Sequence, residues 1–240
     1  MRVIMFFLTA GLAGQGASQA SDFPTISDHV TSVFQTEASV SKTLGITNYT
    51  LRSLETLALD IIKDFESWVP TPYNDASMYC TLGYGHLLTK RPCANSSAEI
   101  ALLAPPPPLR VSDGVTLLNA DTGAVRLAVS RLVKRPLSDE QFGSLTSFVF
   151  NVGAYNFSKS TMLRYLNNGE DEGAAREFRR WIGSKGQILD GLITRRACEA
   201  ALFRKQLKYR SDGTFNRSDC KSLGAASSSG SVIYIETGEK

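Results

Sequence analysis

The sequence has few residues that could bind a metal ion. Its 240 residues include only two histidines, His29 and His86, and its four cysteines show no CxxC spacing. Structural zinc sites are built from closely spaced cysteine and histidine ligands, so the sequence does not predict one. We therefore expect neither a metal centre nor a cofactor.

Long hydrophobic runs are also missing. The apolar run near the N-terminus, residues 3–10, is too short to span a bilayer comfortably. Arg2 precedes it, and the small residues Ser18 and Ala20 follow, which is typical of a signal peptide cut after Ala20. We expect residues 1–20 to be removed from a secreted or periplasmic protein and to make its only, transient, membrane contact. The alternative is an uncleaved, weakly held anchor that later leaves the membrane.

The net charge of +3 is small, but basic residues cluster between positions 164 and 210. A basic surface suits a polyanion such as nucleic acid, a membrane or an anionic cell wall. A solvated helix face is the alternative. The cluster consists of Arg176, Arg179, Arg180, Arg195, Arg196, Arg204, Lys205 and Lys208.

Four cysteines in an exported chain favour disulfides, and three pairings are possible. Cys80–Cys93 with Cys198–Cys220 closes the shortest loops, and loop-closure entropy favours that pairing. A bond between Cys80 and Cys93 would brace the residues around position 80.

A helix pattern follows a polar N-terminal extension at residues 21–46. Asn48 is a suitable N-cap, and apolar residues recur at intervals of three and four from Leu51 to Phe65. Pro70 must stop this helix, which leaves Glu66 in its last turn. Residues 78–82 are rich in strand formers, and the glycines at 83 and 85 predict a turn after them.

Two carboxylates and a threonine stand close together in this stretch. Asp75 lies nine residues after Glu66, and Thr81 lies six residues after Asp75. Two carboxyl groups in unlike environments are what hydrolysis of a glycosidic bond needs. The end of a helix suits a general acid, and a polar turn suits an ionised aspartate. Taken singly, each acidic residue is more often a cap or a salt-bridge partner.

These residues resemble the active-site motif of the phage-type (T4/P21-like) lysozymes, muramidases and endolysins. The resemblance spans roughly residues 50–210. Its blocks are Glu66, Tyr73, Asp75 and residues 81–86, then residues 137–153, 160–164, 174–181 and 191–203.

The resemblance implies an α+β, two-lobed lysozyme-like fold, with a hairpin in a small lobe and a central buried helix in a mainly helical lobe. The catalytic domain would comprise residues 47–210. Its substrate would be peptidoglycan, cut between N-acetylmuramic acid and N-acetylglucosamine. Glu66 would be the general acid, and Asp75 with Thr81 would hold the attacking water, which favours inversion.

The resemblance also implies supporting residues. Arg195 would pair with Glu66 and orient it. Asn151 would line the substrate cleft, although a hydrogen-bonded core amide fits the residue equally well. His86 would serve in packing or an ion pair, and Tyr84 would support the site beside it.

Three features depart from the family pattern. Met78 stands where a glycine is usual, and a methionine does not easily adopt positive φ, so we expect the turn to be reshaped and Asp75 to be displaced. Residues 88–118 form an extended, proline-rich insertion that is either a lid or an inert surface loop, and helix spacing resumes from Val115, as a helix between the lobes would require. Residues 211–240 form a tail in which residues 232–235 either add an edge strand or stay loose.

Three other functions stay open besides a hydrolysing muramidase. A lytic transglycosylase works with the glutamate alone and leaves an anhydro-sugar. An inactive peptidoglycan-binding protein would result if Met78 spoiled the turn, and a membrane-held endolysin would keep its N-terminus. We expect a monomer that binds glycan strands and no nucleic acid.

Overall fold

The computed structural model describes residues 51–103, 105–223 and 230–239, which form two compact units. The larger unit contains Leu51–Glu66 and the described residues from Thr122 onward; the smaller contains Ser67–Asp121. The predicted signal peptide, the extension at residues 21–46 and the Asn48 cap lie outside the described residues.

The smaller unit begins with a three-stranded antiparallel sheet. Its strands, in spatial order, are β1 (Val69–Asn74), β2 (Cys80–Gly83) and β3 (His86–Thr89). The segment predicted only to stop a helix is thus also a strand. Its prolines are tolerated because β1 is at the edge of the sheet, where not every backbone N–H needs a partner. Gly83, the last residue of β2, and Gly85, between β2 and β3, have positive φ, as the predicted turn requires.

Helices follow the sheet where an extended insertion was predicted. A 3-10 helix (Cys93–Asn95), α2 (Ser97–Ala101) and α3 (Val111–Asp121) occupy much of residues 88–118. The prediction of an extended segment is wrong for the helical residues before Val115, because leucines from the segment pack into a core with β2, whereas the helix spacing from Val115 onward falls within α3. That core contains Leu82, Leu103, Leu109 and Leu117.

The larger unit is mainly helical. Its elements are α1 (Thr56–Glu66), α4 (Gly123–Leu132), α5 (Asp139–Val152), α6 (Ala154–Ser158), α7 (Thr161–Asn167), α8 (Asp171–Glu177), a 3-10 helix (Phe178–Arg180), β4 (Gly183–Ser184), β5 (Gln187–Ile188), α9 (Asp190–Phe203) and α10 (Asp219–Leu223). Helix α1 begins later than its periodicity predicted but ends at Glu66, as expected. No helix in the described ranges is long and apolar enough to cross a membrane.

Helix α5 is the predicted central buried helix. Ser138 and Gln141 form a reciprocal capping box at its start: the Ser138 hydroxyl accepts from the Gln141 amide, and the Gln141 side chain accepts from the Ser138 amide. Phe148, in its middle, meets Phe178 and Trp181 edge to face, with ring centroids 5.2 and 5.5 Å apart. These contacts place α5 inside the core of the larger unit.

The C-terminal segment is packed rather than loose. Ile233 and Ile235 are buried in the same core as α5, and Tyr234 forms a parallel bridge with Gly183. A Cβ on Gly183 would lie 2.6 Å from the Tyr234 ring, so this approach requires glycine. A disulfide between Cys198 and Cys220 joins α10 to α9.

Candidate active site

Glu66 is the last residue of α1, and its carboxylate is bound by an arginine. Arg195 Nη1 donates a hydrogen bond to Glu66 Oε1 at 2.7 Å. The Arg195 side chain is 4% exposed and that of Glu66 is 15% exposed. The predicted contact between these residues is therefore present, and it makes Glu66 a partly buried carboxylate with a fixed orientation.

Arg195 is itself held at two further points. Its Nε donates to Glu199 Oε1 at 3.2 Å, and its Nη2 donates to the Ser147 carbonyl at 3.3 Å. Burial disfavours the charged guanidinium, but the Glu66 and Glu199 carboxylates outweigh it and raise the pKa of Arg195. The guanidinium stays charged, and its three contacts fix the direction from which it approaches Glu66.

Arg196 and Asn151 form the inner part of this network. Arg196 Nη2 donates to Asn151 Oδ1 at 2.9 Å and to Glu199 Oε1 at 3.2 Å. Burial lowers the pKa of Arg196 to about 10. Of the two roles left open for Asn151, the geometry gives the hydrogen-bonded core amide, because its side-chain oxygen is bound to a fully buried arginine.

The basic cluster is not one solvated surface. Arg195 and Arg196 are buried, and Arg180 is ion-paired with Glu177 and Glu239. The spacing of the arginines alone did not predict this burial, because it depends on packing between helices and on two distant carboxylates, Glu66 for Arg195 and Glu239 for Arg180.

The helix end that carries Glu66 is held from a second direction. The Phe65 ring lies under Arg195 and Arg217, whose guanidinium carbons are 5.6 and 4.7 Å from its centroid. Arg217 also donates to the Asp64 carbonyl at 2.7 Å. The predicted Cys198–Cys220 disulfide is present and keeps the Arg217 segment close to α9.

In the smaller unit, Asp75 organises the turn between β1 and β2. Its Oδ1 accepts hydrogen bonds from the backbone amides of Ser77 and Tyr79 at 2.7 and 2.9 Å. Met78 has a φ of 62°, so the prediction that it would avoid positive φ is wrong. The Asp75 contacts close the turn around Met78, which is itself 56% exposed.

Thr81 lies on β2 and is linked to Asp75 through Tyr79. Its hydroxyl donates to the Tyr79 carbonyl at 3.1 Å, and the same carbonyl accepts from the Asp75 amide at 2.9 Å. The Cys80–Cys93 disulfide predicted beside Thr81 is present and joins β2 to the following 3-10 helix. Asp75 and Thr81 therefore belong to one braced turn.

His86 and Tyr84 have structural surroundings. His86 Nδ1 lies 3.0 and 3.1 Å from the two carboxylate oxygens of Asp121, which confirms the predicted ion pair. Burial opposes a charged imidazole, but the charge and hydrogen bond of Asp121 prevail, so the pKa of His86 is raised. Tyr84 is buried against Trp68, with ring centroids 4.9 Å apart.

Sequence reasoning did not single out Glu199 or Ser147. Glu199 is fully buried and accepts a hydrogen bond from the Ser147 hydroxyl at 2.7 Å. The available signal was an Arg-Arg pair followed three and four positions later by a glutamate, among small apolar residues of one helix. Within the described ranges, no group of three or more His, Cys, Asp or Glu residues could hold a metal ion.

Comparison with protein families matches residues 63–199, more than half of the chain, to the phage lysozyme family. The chain belongs to that family. The match includes both carboxylates, Thr81 and Arg195, and the fold is the α+β lysozyme fold that the resemblance implied.

Individual relatives agree with this assignment. The chain is 34% identical over 148 residues to an endolysin of Bacillus phage B103, covering 60% of this chain and 51% of the relative. It is 40% identical over 89 residues to a SAR-endolysin of Escherichia phage Mu, covering 37% and 52%. The chain thus spans about half the length of these curated relatives. Among solved structures, the muramidase domain of SpmX from Asticaccaulis excentricus is 29% identical, with a TM-score of 0.52, covering 63% of this chain and 97% of that one.

Proposed function

We propose that this chain is an exported muramidase, which hydrolyses the β-1,4 bond between N-acetylmuramic acid and N-acetylglucosamine in peptidoglycan. The observation that carries the proposal is the pair formed by Glu66 and Arg195 at the end of α1. A partly buried carboxyl held by a buried guanidinium has a fixed direction, as a general acid needs if it is to reach the glycosidic oxygen. Membership of the phage lysozyme family supports the same reaction class.

In this proposal Glu66 protonates the leaving oxygen as the bond to the anomeric carbon breaks. Asp75 stabilises the positive charge that develops on that carbon and, with Thr81, holds the water that attacks it. Asp75 suits this role because two backbone amides hold one of its carboxylate oxygens. The water adds to the muramic acid carbon, and its proton passes to Asp75.

The remaining parts of the proposal concern location and partners. The protein would act outside the cytoplasm as a monomer on glycan strands, without nucleic acid. Membrane contact would be limited to the N-terminal segment at residues 1–20. Detection of a mature chain that begins after Ala20 would support export with cleavage, whereas an intact N-terminus would favour the membrane-held endolysin.

The direct test is lysis of purified cell walls, followed by turbidity. Wild type should clear the suspension, and Glu66→Gln, which keeps the size of the side chain but cannot supply the proton, should not. Glu172→Gln is the matched control, because it removes a carboxylate that is 59% exposed and paired with Arg204. Equal clearing by Glu66→Gln and wild type would contradict the assigned acid. A wild type without activity would leave an inactive peptidoglycan-binding protein.

A further inference from the structure

The carboxylate of Glu199 is fully buried and contacts Arg195 through a different nitrogen from the one that contacts Glu66. Arg195 directs Nη1 to Glu66 and Nε to Glu199, one helical turn along α9. Glu199 Oε1 also accepts from the Ser147 hydroxyl at 2.7 Å. A carboxylate that is removed from water to this extent is stable only when it is paired and hydrogen-bonded on several sides.

The charges around Arg195 balance. Arg195 and Arg196 are both buried cations, and Glu199 contacts both of them, with its Oε2 2.9 Å from Arg196 Nε. Together with Glu66 the four groups sum to zero when both carboxylates are ionised. When Glu66 takes up a proton, Arg195 keeps Glu199 as its anionic partner, so the buried guanidinium is never left unpaired.

We infer that Glu199 is a positioning residue for the proposed reaction: it fixes the guanidinium plane of Arg195 and balances its charge while Glu66 carries the proton. The inference rests on the proposed function. Without Glu199, a protonated Glu66 would leave two buried cations with no carboxylate between them, which Coulomb repulsion in a poorly solvated site disfavours. Proton delivery would then require a lower pH.

The other groups near Glu66 in the larger unit do not supply this balance. Ser147 and Asn151, from α5, are neutral. Asp64, on α1, lies 2.6 Å from Arg217 Nε, and these two opposite charges compensate each other. Glu199 is therefore the carboxylate besides Glu66 that directly contacts Arg195 within the described part of this unit.

Two substitutions with opposite charge effects test the inference. Glu199→Gln should move the alkaline limb of the pH profile of kcat/KM to lower pH by about 1 unit, the effect of losing one nearby negative charge. Arg196→Met removes a cation and keeps Glu199, so it should move the same limb to higher pH. A network with only a structural role would lower stability in both variants and leave the limb in place.

The matched control is Glu177→Gln, which breaks another i,i+3 glutamate–arginine pair, with Arg180; these two side chains are 12% and 16% exposed and pair with neither Arg195 nor Glu66. It should lose stability without moving the limb. Circular dichroism at the assay temperature establishes which variants are folded, and either folded variant decides the matter. An unmoved limb, or a shift of the wrong sign, in an active enzyme overturns the inference alone. An inactive wild type overturns the proposed function and the inference with it.

Discussion

Arg195 donates a 2.7 Å hydrogen bond to Glu66 from a position 129 residues further along the chain. The bond joins the last residue of α1 to the second turn of α9, and both side chains are largely withdrawn from solvent. Because the guanidinium is also bound by Glu199 and Ser147, its three donors form a rigid fork. The orientation of Glu66 thus depends on groups that do not contact it.

Replacing Arg195 with lysine should impair the enzyme, although the substitution keeps the positive charge. A lysine ammonium can reach one carboxylate but cannot reproduce the three directional contacts, so Glu66 would lose its fixed orientation. We expect kcat for wall lysis to fall about 10- to 100-fold.

The matched control is Arg204→Lys, whose guanidinium bonds the exposed Glu172 and should tolerate the change. Comparable kcat values for wild type and a folded Arg195→Lys variant would contradict the role given to the fork.

The His86–Asp121 pair should make stability depend on pH. The folded-state pKa of His86 is raised above its ordinary value of 6.5, so the charged imidazole contributes stability that is fully present below that value. The contribution is lost as the pH rises through the folded-state pKa. Urea unfolding at about pH 5.5 and about pH 8.5 should therefore show wild type losing stability at the higher pH relative to Asp121→Asn.

A control separates this effect from general pH sensitivity. Asp113→Asn removes the partner of Arg110, whose charge does not change in this range, and should preserve the wild-type pH dependence. Identical pH dependence in wild type and Asp121→Asn would mean that His86 does not supply it.

Met78 offers a stabilising substitution. Its φ of 62° costs a residue with a Cβ about 1 kcal/mol, and glycine does not pay that cost. Glycine also gives the unfolded chain more freedom, which offsets part of this gain. Met78→Gly should therefore raise the free energy of unfolding by only about 0.5 kcal/mol. Met78→Ala keeps the Cβ and should show no gain in the same denaturant titration. A loss of stability in the glycine variant would mean that the methionine side chain contributes contacts that outweigh the backbone.

The C-terminal segment should be necessary for full stability. Ile235 is buried in the core of the larger unit, so Ile235→Ala should cost about 2 to 4 kcal/mol by thermal or denaturant unfolding. Ile188→Ala, at a position 54% exposed, should change stability by no more than about 0.5 kcal/mol. Equal effects of the two substitutions would show that residues 233–235 do not form part of the core.

Short sequence features predicted the helix end, the turn and the disulfides, because each of these depends on residues close together in the chain. The end of α1 followed from the proline after it and the hairpin turn from Gly83 and Gly85, whereas the buried α5 followed from the family resemblance. The disulfides followed from loop length, because each joins cysteines close in sequence. The contact between Glu66 and Arg195 came from family resemblance, since residues 129 positions apart carry no local signal.

The errors arose where distant contacts outweigh local preference. The prolines of residues 88–118 predicted an extended segment. Leucines on either side of the prolines are buried in a core with Leu82 of β2, and helices form around them. Met78 was expected not to adopt positive φ easily, yet it does so in a turn closed by the carboxylate and the backbone carbonyl of Asp75. Arg196 was assigned to a basic cluster with a solvated helix face as the alternative, but Asn151 of α5 and Glu199 of its own helix bind it in the core.

The central claim is that Glu66 drives hydrolysis, and mass spectrometry of the glycan ends released from purified walls tests it most directly. Wild type should release strands with reducing N-acetylmuramic acid ends that have gained one water, and Glu66→Gln should release none. Anhydromuramic acid ends from wild type would show a lytic transglycosylase and contradict the account. Hydrated ends released equally by Glu66→Gln would contradict the role of Glu66.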